Sequence, residues 1–288
     1  MRITAKEIEY SYSLGGKSVV AALNGVSLNI LEGEFYGIIG HTGSGKSTFI
    51  QHLNALIEIQ KGELSVGEFS LTPKDKKKKK NYKNLRKKVG MVFQYPEYQL
   101  FAETVFDDVA FGIRNFLDVR DEKEVQSLVR SALEKTGLNY DEVKNKSPFN
   151  LSGGQKRRVA IAGVIAVNPE ILVLDEPCAG LDPVGKKELW SLLHGIHKTT
   201  AKTVIIVSHD MDDVAEQCTK AAVFSDGKVI ANGTPREIFS SSSLIEKANL
   251  DVPVTAYLQS ALSPYLGDLN SDYTIDDFTD KLSKKILS

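Results

Sequence analysis

The chain has 288 residues, which suits one large domain with an appendage or two domains. Apolar residues make up 42% of it, and 36 lysines and arginines nearly balance 37 aspartates and glutamates, for a net charge of -1. This composition excludes extensive disorder and argues against a protein that coats nucleic acid with bulk positive charge. The apolar runs are far shorter than the roughly 20 residues of a membrane-spanning helix, and two cysteines are too few for a disulfide scaffold. We therefore expect a globular protein of the cytoplasm.

Hydrophobic periodicity predicts a chain that opens with strands and then alternates strands with helices. The predicted strands lie, in chain order, at residues 3–12, 22–30, 35–39, 62–71, 89–93, 171–174, 203–208 and 223–230. Gly15-Gly16 is predicted to form a turn between the first two strands, and Asp226-Gly227 a hairpin turn in the last. Helical spacing begins at Ser47, and residues 97–167 are predicted to be mostly helical.

Residues 74–88 stand out because they hold ten lysines or arginines and one aspartate, with an unbroken run from Lys76 to Lys80. The simplest interpretation is a solvated surface loop between two strands. Contact with anionic lipid headgroups or with RNA is the alternative. Base stacking has little support, because Tyr82 is the one aromatic residue in the segment.

A polar run from Ser240 to Ser243 predicts a boundary near residue 243. The main domain would then span residues 1–243, with a helical subdomain at about 97–167, and residues 244–288 would form a mainly helical tail. In that tail, Thr274 and Asp277 resemble the start of a capped helix. The helix would carry an apolar stripe made of Phe278, Leu282 and Ile286.

Residues 40–47 match the phosphate-binding pattern G-x-x-x-x-G-K-[ST], after a predicted strand and before a predicted helix. In such a loop the backbone N–H groups converge on phosphate oxygens, and the helix N-terminus adds its positive end. The Lys46 ammonium would reach the β- and γ-phosphates, and the Ser47 hydroxyl would coordinate Mg²⁺. The predicted nucleotide-binding residues are Gly40, His41, Thr42, Gly43, Ser44, Gly45, Lys46, Ser47 and Thr48.

Two carboxylates, Asp175 and Glu176, follow the apolar strand predicted at residues 171–174. Ligands of open α/β sheets bind at the carboxyl ends of parallel strands. Asp175 would hold Mg²⁺, directly or through water, and Glu176 would polarise the attacking water.

The segment Leu151-Ser152-Gly153-Gly154-Gln155 is a second glycine-rich anion site, with a hydroxyl and open N–H groups at a helix start. Because it carries both this segment and a phosphate loop, the chain resembles the ATP-binding-cassette (ABC) ATPases. In those proteins the segment is the family signature. The resemblance implies an α/β fold of the P-loop NTPase type. It would have a RecA-like core with a mainly parallel sheet, an antiparallel β subdomain and a helical signature subdomain.

The same resemblance implies that two such subunits enclose two ATP molecules head to tail, each phosphate loop facing the partner's signature. It assigns further roles residue by residue. Gln94 would sense Mg²⁺ and the attacking water, and His209 would contact the γ-phosphate. Residues Ala179, Gly180, Leu181 and Asp182 would form the D-loop, which crosses the dimer interface. Tyr12, or alternatively Tyr10, would stack on the adenine.

The segment from Phe93 to Gly112, together with residues 51–54 and 147–150, resembles the ATPases of energy-coupling factor (ECF) transporters and the related cobalt-importer ATPases. Two segments, Tyr95-Pro96-Glu97 and Asp175-Glu176-Pro177, are most similar to the second, A-prime ATPase. That resemblance implies a second ATPase subunit, a transmembrane T subunit and a substrate-binding S subunit at the cytoplasmic face of the membrane, for uptake of vitamins or other micronutrients. The residues predicted near the T-subunit groove are Tyr95, Leu100, Phe101, Glu103, Phe106 and Asp107.

Three alternatives remain open from the sequence. The first is a homodimeric ATPase of a cobalt or nickel importer. The second is a soluble ABC ATPase that acts on nucleic acid or ribosomes through the lysine run. The third, a module that does not hydrolyse ATP, is disfavoured by the intact Lys46, Asp175, Glu176 and His209. The transported substrate is not encoded in this chain, because the membrane subunits would select it.

Overall fold

The computed structural model describes residues 1–13, 19–73 and 82–287. The predicted turn at Gly15-Gly16 and the run from Lys76 to Lys80 lie outside these ranges. The chain divides into two compact units. The first contains Met1, Gln51–Leu56 and Lys74–Ile205, and the second contains Arg2–Ile50, Ile57–Pro73 and Ile206–Ser288. The division at residue 243 stays a prediction.

The strands follow the predicted order, except that the single strand predicted at residues 62–71 is divided into two by a turn at Gly67 and Glu68. The strands are β1 (Ile3–Ser13), β2 (Val19–Ile30), β3 (Phe35–Ile39), β4 (Lys61–Val66), β5 (Phe69–Leu71), β6 (Val89–Val92), β7 (Ile171–Asp175), β8 (Thr203–Val207), β9 (Lys220–Ser225) and β10 (Lys228–Gly233). The first eight helices in chain order are α1 (Lys46–Leu53), α2 (Tyr82–Lys88), α3 (Val105–Phe116), α4 (Glu122–Lys135), α5 (Tyr140–Val143), α6 (Gly153–Ile165), α7 (Pro183–Thr199) and α8 (Met211–Gln217). The last helices are α9 (Pro235–Phe239), α10 (Ser242–Ala248), α11 (Val254–Leu266) and α12 (Ile275–Leu287), and short 3-10 helices lie at Pro96–Gln99 and Pro148–Asn150.

The second unit contains an antiparallel sheet with the strand order β2-β1-β4-β5. In the same unit, β3 pairs in parallel with β9, and β9 pairs antiparallel with β10. The turn between β9 and β10 has positive φ at both central residues, 49° at Asp226 and 72° at Gly227. That geometry is the type I′ hairpin which an Asp-Gly pair favours, so the predicted turn is confirmed.

The first unit pairs β6 in parallel with β7, with Val89 opposite Ile171 and Val92 opposite Leu174. The residues of β6 and the first four of β7 are buried, as expected for parallel strands covered on both faces. Helices α3, α4 and α6 pack against one another in this unit. On α3 the buried residues recur at helical spacing, at Val105, Val109 and Ile113.

The prediction for the basic segment, residues 74–88, was wrong over residues 82–88. The basic segment was expected to be a loop throughout, but residues 82–88 form the helix α2. The buried Leu85 anchors it, and the Arg86 guanidinium donates to the carbonyl oxygens of Asn54 and Ala55 at 3.2 and 2.8 Å. Arg86, Lys87 and Lys88 form its last turn, where the helix dipole favours positive charge. These three basic residues therefore stabilise the helix.

The C-terminal helices are held to α8 within the second unit. The Asp212 carboxylate accepts a hydrogen bond from the Val254 N–H at 2.8 Å, at the start of α11. The Glu216 carboxylate accepts one from the Ile275 N–H at 2.5 Å, at the start of α12. Because these N–H groups have no partner inside their own helices, the two carboxylates cap both helices. None of the helices in the described ranges is both long and apolar enough to span a membrane.

Candidate nucleotide site

The glycine-rich loop between β3 and α1 is a close-packed turn in the second unit. Gly40 has a φ of 147° and Gly45 a φ of 103°, both in the region that favours glycine. A Cβ at Gly40 would lie 2.2 Å from the carbonyl oxygen of Phe224, and one at Gly45 would lie 2.4 Å from that of Ala22. A larger residue at either position would therefore displace the loop.

One backbone hydrogen bond joins the loop to the β9–β10 hairpin: the Gly227 N–H donates to the carbonyl oxygen of Ser44 at 3.1 Å. A second bond joins the same hairpin to β2, where the Asn24 N–H donates to the carbonyl oxygen of Gly227 at 2.7 Å. The Asp-Gly turn was predicted, but its role in holding the phosphate loop was missed. No local pattern reports this contact, because it joins residues about 180 positions apart in the chain.

The Lys46 side chain is buried and turns back over the loop. Its Nζ donates to the carbonyl oxygens of Gly40 and His41 at 2.7 and 2.9 Å. Within the described part of the chain, the buried Ser44 hydroxyl oxygen has no hydrogen-bond partner. A buried ammonium and a buried hydroxyl, in a loop that requires glycine at positions 40 and 45, fit a bound phosphate group.

Of the two tyrosines considered for adenine stacking, Tyr12 has a described hydrogen bond to the helix that follows the loop. The hydroxyls of Tyr12 and Thr48 share a hydrogen bond of 3.3 Å, and Thr48 lies in the first turn of α1. The two tyrosine rings meet edge to face with centroids 4.9 Å apart. Tyr12 is 37% exposed, so its ring keeps an open face on which a base could stack. These contacts favour Tyr12, and the stacking role stays a prediction.

The switch histidine predicted from the sequence, His209, follows β8 and is exposed. It lies in the second unit, as does the phosphate loop. The neighbouring Ser208 N–H donates to the carbonyl oxygen of Ile38 at 3.2 Å, so the backbone before His209 is tied to β3, the strand that feeds the loop. After it, the Asp210 carboxylate caps α8 by accepting from the Asp213 N–H.

In the first unit, the predicted water-polarising residue contacts the predicted sensor. Asp175 ends β7, and Glu176 follows it with a φ of 45°, a left-handed conformation that is uncommon for a residue other than glycine. Gln94 lies just beyond β6, the parallel neighbour of β7. The Gln94 Nε2 donates to the Glu176 Oε2 at 3.3 Å, so strand order brings this pair together.

The signature segment starts α6. Ser152 is the N-cap: its Oγ accepts from the Gln155 N–H at 3.3 Å, while the Gln155 Oε1 accepts from the Ser152 N–H at 3.2 Å. A hydroxyl that accepts one bond can still donate its own proton. Among the described residues, a Cβ at Gly153 or Gly154 would meet nothing within 4 Å, so packing in that part of the chain does not explain these glycines. Glycines at these positions leave the backbone N–H groups open to a ligand.

The D-loop residues lie between β7 and α7. The Ala179 N–H donates to the carbonyl oxygen of Glu176 at 3.1 Å, which closes a turn directly after the strand. Asp182 is the N-cap of α7, and its Oδ1 accepts from the Gly185 N–H at 2.7 Å. Gly180 is exposed and Leu181 is half-buried, so the middle of this loop is accessible.

A cavity of about 330 Å³ lies in the first unit, where a T-subunit groove was predicted. Of the six predicted residues, Leu100 and Phe101 line it, whereas Tyr95, Glu103, Phe106 and Asp107 do not. The acidic residue in the lining is instead Asp108, whose Oδ2 accepts from the N–H groups of Phe101 and Ala102 at 2.9 Å each. Asp107 is held beside the α3 cap by the Thr104 hydroxyl and by Arg114. Phe101 packs edge to face on Phe111, and both rings are exposed.

The site defines the class of P-loop nucleoside triphosphatases. Its features are a parallel strand that leads into a glycine-rich loop, a buried loop lysine, and carboxylates at a strand end.

Comparison with known proteins identifies the family within this class. The family model described as ABC transporter matches residues 23–179. The chain is 44% identical over 288 residues to the energy-coupling factor transporter ATP-binding protein EcfA2 of Clostridioides difficile strain 630, covering 99% of this chain and 98% of that protein. It is 43% identical over 287 residues to EcfA2 of Enterococcus faecalis strain V583, with the same coverage.

Solved structures agree. CbiO1 from Clostridium perfringens, part of the ABC transporter complex cbiONQ, superposes with a TM-score of 0.72 at 39% identity, covering 90% of this chain and 98% of that one. A dimeric ATP-binding cassette with bound ADP and Pi superposes with a TM-score of 0.70 at 30% identity, covering 80% and 97%. The chain therefore belongs to the ABC transporter family and, within it, to the ATP-binding subunits of energy-coupling factor transporters. The predicted α/β P-loop fold and the predicted ATP hydrolysis coupled to transport are confirmed.

Proposed function

We propose that this chain is the A-prime ATPase of an ECF importer, paired with a second ATPase subunit and attached at the cytoplasmic face to a T and an S subunit. The observation that carries the proposal is the chain-long similarity to proteins named EcfA2, at 98% coverage of their own length. The phosphate loop, the signature cap and the Gln94–Glu176 pair supply the parts that such an ATPase needs.

The proposed binding of ATP uses this chain's own donors. The loop N–H groups and the Lys46 ammonium would hold the phosphates, and the phosphate oxygens would compete with the carbonyls of Gly40 and His41 for that ammonium. The Tyr12 ring would stack on the adenine. In the head-to-tail dimer, the Ser152 hydroxyl and the N-terminus of α6 would contact the ATP held by the other subunit.

The proposed reaction is phosphoryl transfer to water, in which positioning and charge neutralisation do most of the work. Glu176 would accept a hydrogen bond from the attacking water, and Gln94 would fix the Glu176 carboxylate. Lys46 and His209 would neutralise charge on the γ-phosphate. The proposed Mg²⁺ ligands are Ser47, Gln94 and Asp175, which all offer the oxygen donors that this hard cation prefers. When bound, the cation adds positive charge at the phosphates.

Purification of the membrane complex tests the assembly. An affinity tag on this chain, expressed in its native cells, should co-purify one further ATPase chain of different sequence together with membrane subunits. Recovery of this chain as the sole ATPase would contradict the heterodimer and favour the homodimeric cobalt or nickel importer. Recovery of ribosomal RNA in place of membrane subunits would contradict the importer.

The cavity lined by Leu100 and Phe101 gives a prediction for the groove. Phe101→Ser removes a 58% exposed ring, so we expect the variant to lose apolar contact with a helix of the T subunit. Co-purification of the membrane subunits should fall several-fold while nucleotide binding is retained. Tyr98→Ser is the matched control, because Tyr98 is an 84% exposed aromatic residue nearby that does not line the cavity. Equal co-purification by both variants and the unmodified chain would refute the groove.

We further propose that the C-terminal tail, residues 244–288, is a contact between the two ATPase subunits, as the resemblance to the ECF ATPases implies. The stripe predicted on α12 divides in the structure: Phe278 is buried, whereas Ile286 is 64% exposed and its neighbour Leu287 is also exposed. We expect Ile286→Asp to weaken pairing of the ATPases without nucleotide, seen as earlier dissociation in size-exclusion chromatography on dilution. Ser283→Asp, an exposed polar position on the same helix, should leave pairing unchanged. Identical elution of both variants and the unmodified chain would show that this end of α12 lies outside the interface.

A further inference from the structure

Arg157 is a buried cation that the sequence analysis did not single out. It lies on α6, five residues after the signature serine that caps this helix, and only 8% of it is exposed. Burying a guanidinium is costly unless its N–H groups are hydrogen-bonded. The partners of Arg157 therefore indicate what its position achieves.

Both described partners of Arg157 are backbone carbonyls of the segment that follows Glu176. The Nη1 donates to the carbonyl oxygen of Pro177 at 2.8 Å, and the Nη2 donates to that of Ala179 at 3.0 Å. A guanidinium is a planar fork whose donors have fixed directions, so bonding to two carbonyls at once fixes their relative orientation. Such a contact restrains a loop more strongly than one bond from a flexible ammonium.

The restrained segment carries the proposed water-polarising residue. Glu176 has a φ of 45°, and its carbonyl accepts from the Ala179 N–H at 3.1 Å, so residues 176–179 form one closed turn. The left-handed conformation is uncommon for glutamate and persists only where surrounding contacts impose it. Arg157 bonds to two of the four residues in this turn. The direction in which Glu176 leaves β7 therefore depends on the position of α6.

We infer that Arg157 is a positioning residue that ties the Glu176 turn to the signature helix, an inference that rests on the proposed role of Glu176. The N-terminus of α6 would contact ATP held by the opposite subunit, while Glu176 acts at this subunit's own ATP. A displacement of α6 on ATP contact at Ser152 is transmitted through the Arg157 fork to Pro177 and Ala179. The fork thus links the two composite ATP sites within one chain.

The test compares Arg157→Gln and Arg157→Lys with Lys123→Gln in the full-length chain assembled with its partner ATPase. Lys123→Gln removes one positive charge from an exposed position on α4, in the same unit. Glu176→Gln is measured in parallel as the reference for loss of the catalytic step. The readouts are kcat and KM for ATP, affinity for a fluorescent ATP analogue, and the thermal unfolding midpoint.

We expect kcat to fall about tenfold or more in Arg157→Gln, because small misplacement of a catalytic group has large rate effects. KM and analogue affinity should change less than about twofold, since no ground-state nucleotide contact is removed. The kcat of Arg157→Lys should lie between those of Arg157→Gln and the unmodified chain, because an ammonium keeps the charge but lacks the two fixed donors of a guanidinium. Lys123→Gln should match the unmodified chain in kcat, KM and analogue affinity. If Arg157→Gln does not fold, Arg157→Lys decides: lowered kcat with unchanged affinity supports the inference.

Three results would overturn it. Unmodified kcat in Arg157→Gln or Arg157→Lys, with Glu176→Gln inactive, removes the positioning role and leaves the proposed function intact. Parallel loss of kcat, analogue affinity and thermal stability would assign Arg157 a merely structural role. An active Glu176→Gln would instead refute the proposed function, and the inference would fall with it.

Discussion

Glu176→Gln is expected to lower the rate of ATP hydrolysis by about a hundredfold or more, because an amide cannot take up the proton or charge that a general base accepts. The amide has nearly the shape of the carboxylate, and its carbonyl oxygen can still accept the 3.3 Å bond from the Gln94 Nε2. The turn after β7 should therefore persist. Affinity for a fluorescent ATP analogue should stay within about twofold of the unmodified value, as binding uses other groups.

The matched control is Glu170→Gln. Glu170 immediately precedes β7, so it lies at the strand end opposite Glu176, and it forms an ion pair with Lys88. The same chemical change there should leave the steady-state rate of phosphate release nearly unchanged. Near-normal turnover in Glu176→Gln would remove Glu176 from its proposed role. A comparable loss in Glu170→Gln would show that the assay reports general destabilisation.

Local patterns in the sequence predicted the main segments of the candidate site, because each segment is short and contiguous. The phosphate loop, the Asp175-Glu176 pair and the signature each depend on residue types at fixed short spacing. The type I′ turn at Asp226-Gly227 was predicted for the same reason, since the dipeptide itself favours the required φ values. Such features need no knowledge of which strands are neighbours.

Long-range contacts were not predictable in the same way. The Gly227 bond to the Ser44 carbonyl and the Arg157 fork on Pro177 and Ala179 join segments whose proximity depends on strand order and helix packing. The lining of the cavity was not predictable for a similar reason. Asp107 and Asp108 are adjacent residues of the same type, yet Asp108 lines the cavity whereas Asp107 accepts a hydrogen bond from the Thr104 hydroxyl. The T-subunit groove itself stays a prediction. The helix α2 was not predicted, because its one buried apolar residue, Leu85, gives no helical periodicity within a segment of basic residues.

Lys46→Ala is expected to reduce ATP affinity by at least about a hundredfold, since charge-assisted hydrogen bonds to phosphate contribute roughly 1.5–3 kcal/mol each. The Lys46 ammonium is buried over the loop and bonded to the carbonyls of Gly40 and His41, so it is already oriented where phosphate would enter. Titration with a fluorescent ATP analogue measures the loss directly. The rise in thermal unfolding midpoint that ATP causes in the unmodified chain should also disappear, because ligand stabilisation follows affinity.

Two further variants distinguish loss of the Lys46 ammonium from loss of side-chain volume and from loss of a lysine elsewhere. Lys46→Met keeps most of the side-chain volume, so equal loss of ATP affinity in Lys46→Met and Lys46→Ala assigns the effect to the ammonium and not to a cavity. Lys61→Ala removes an exposed lysine of the same unit, paired with Glu9 at 2.6 Å, and should bind ATP normally. If Lys46→Met binds the analogue like the unmodified chain, the loop N–H groups alone hold the phosphates, and the role proposed for Lys46 in binding is wrong.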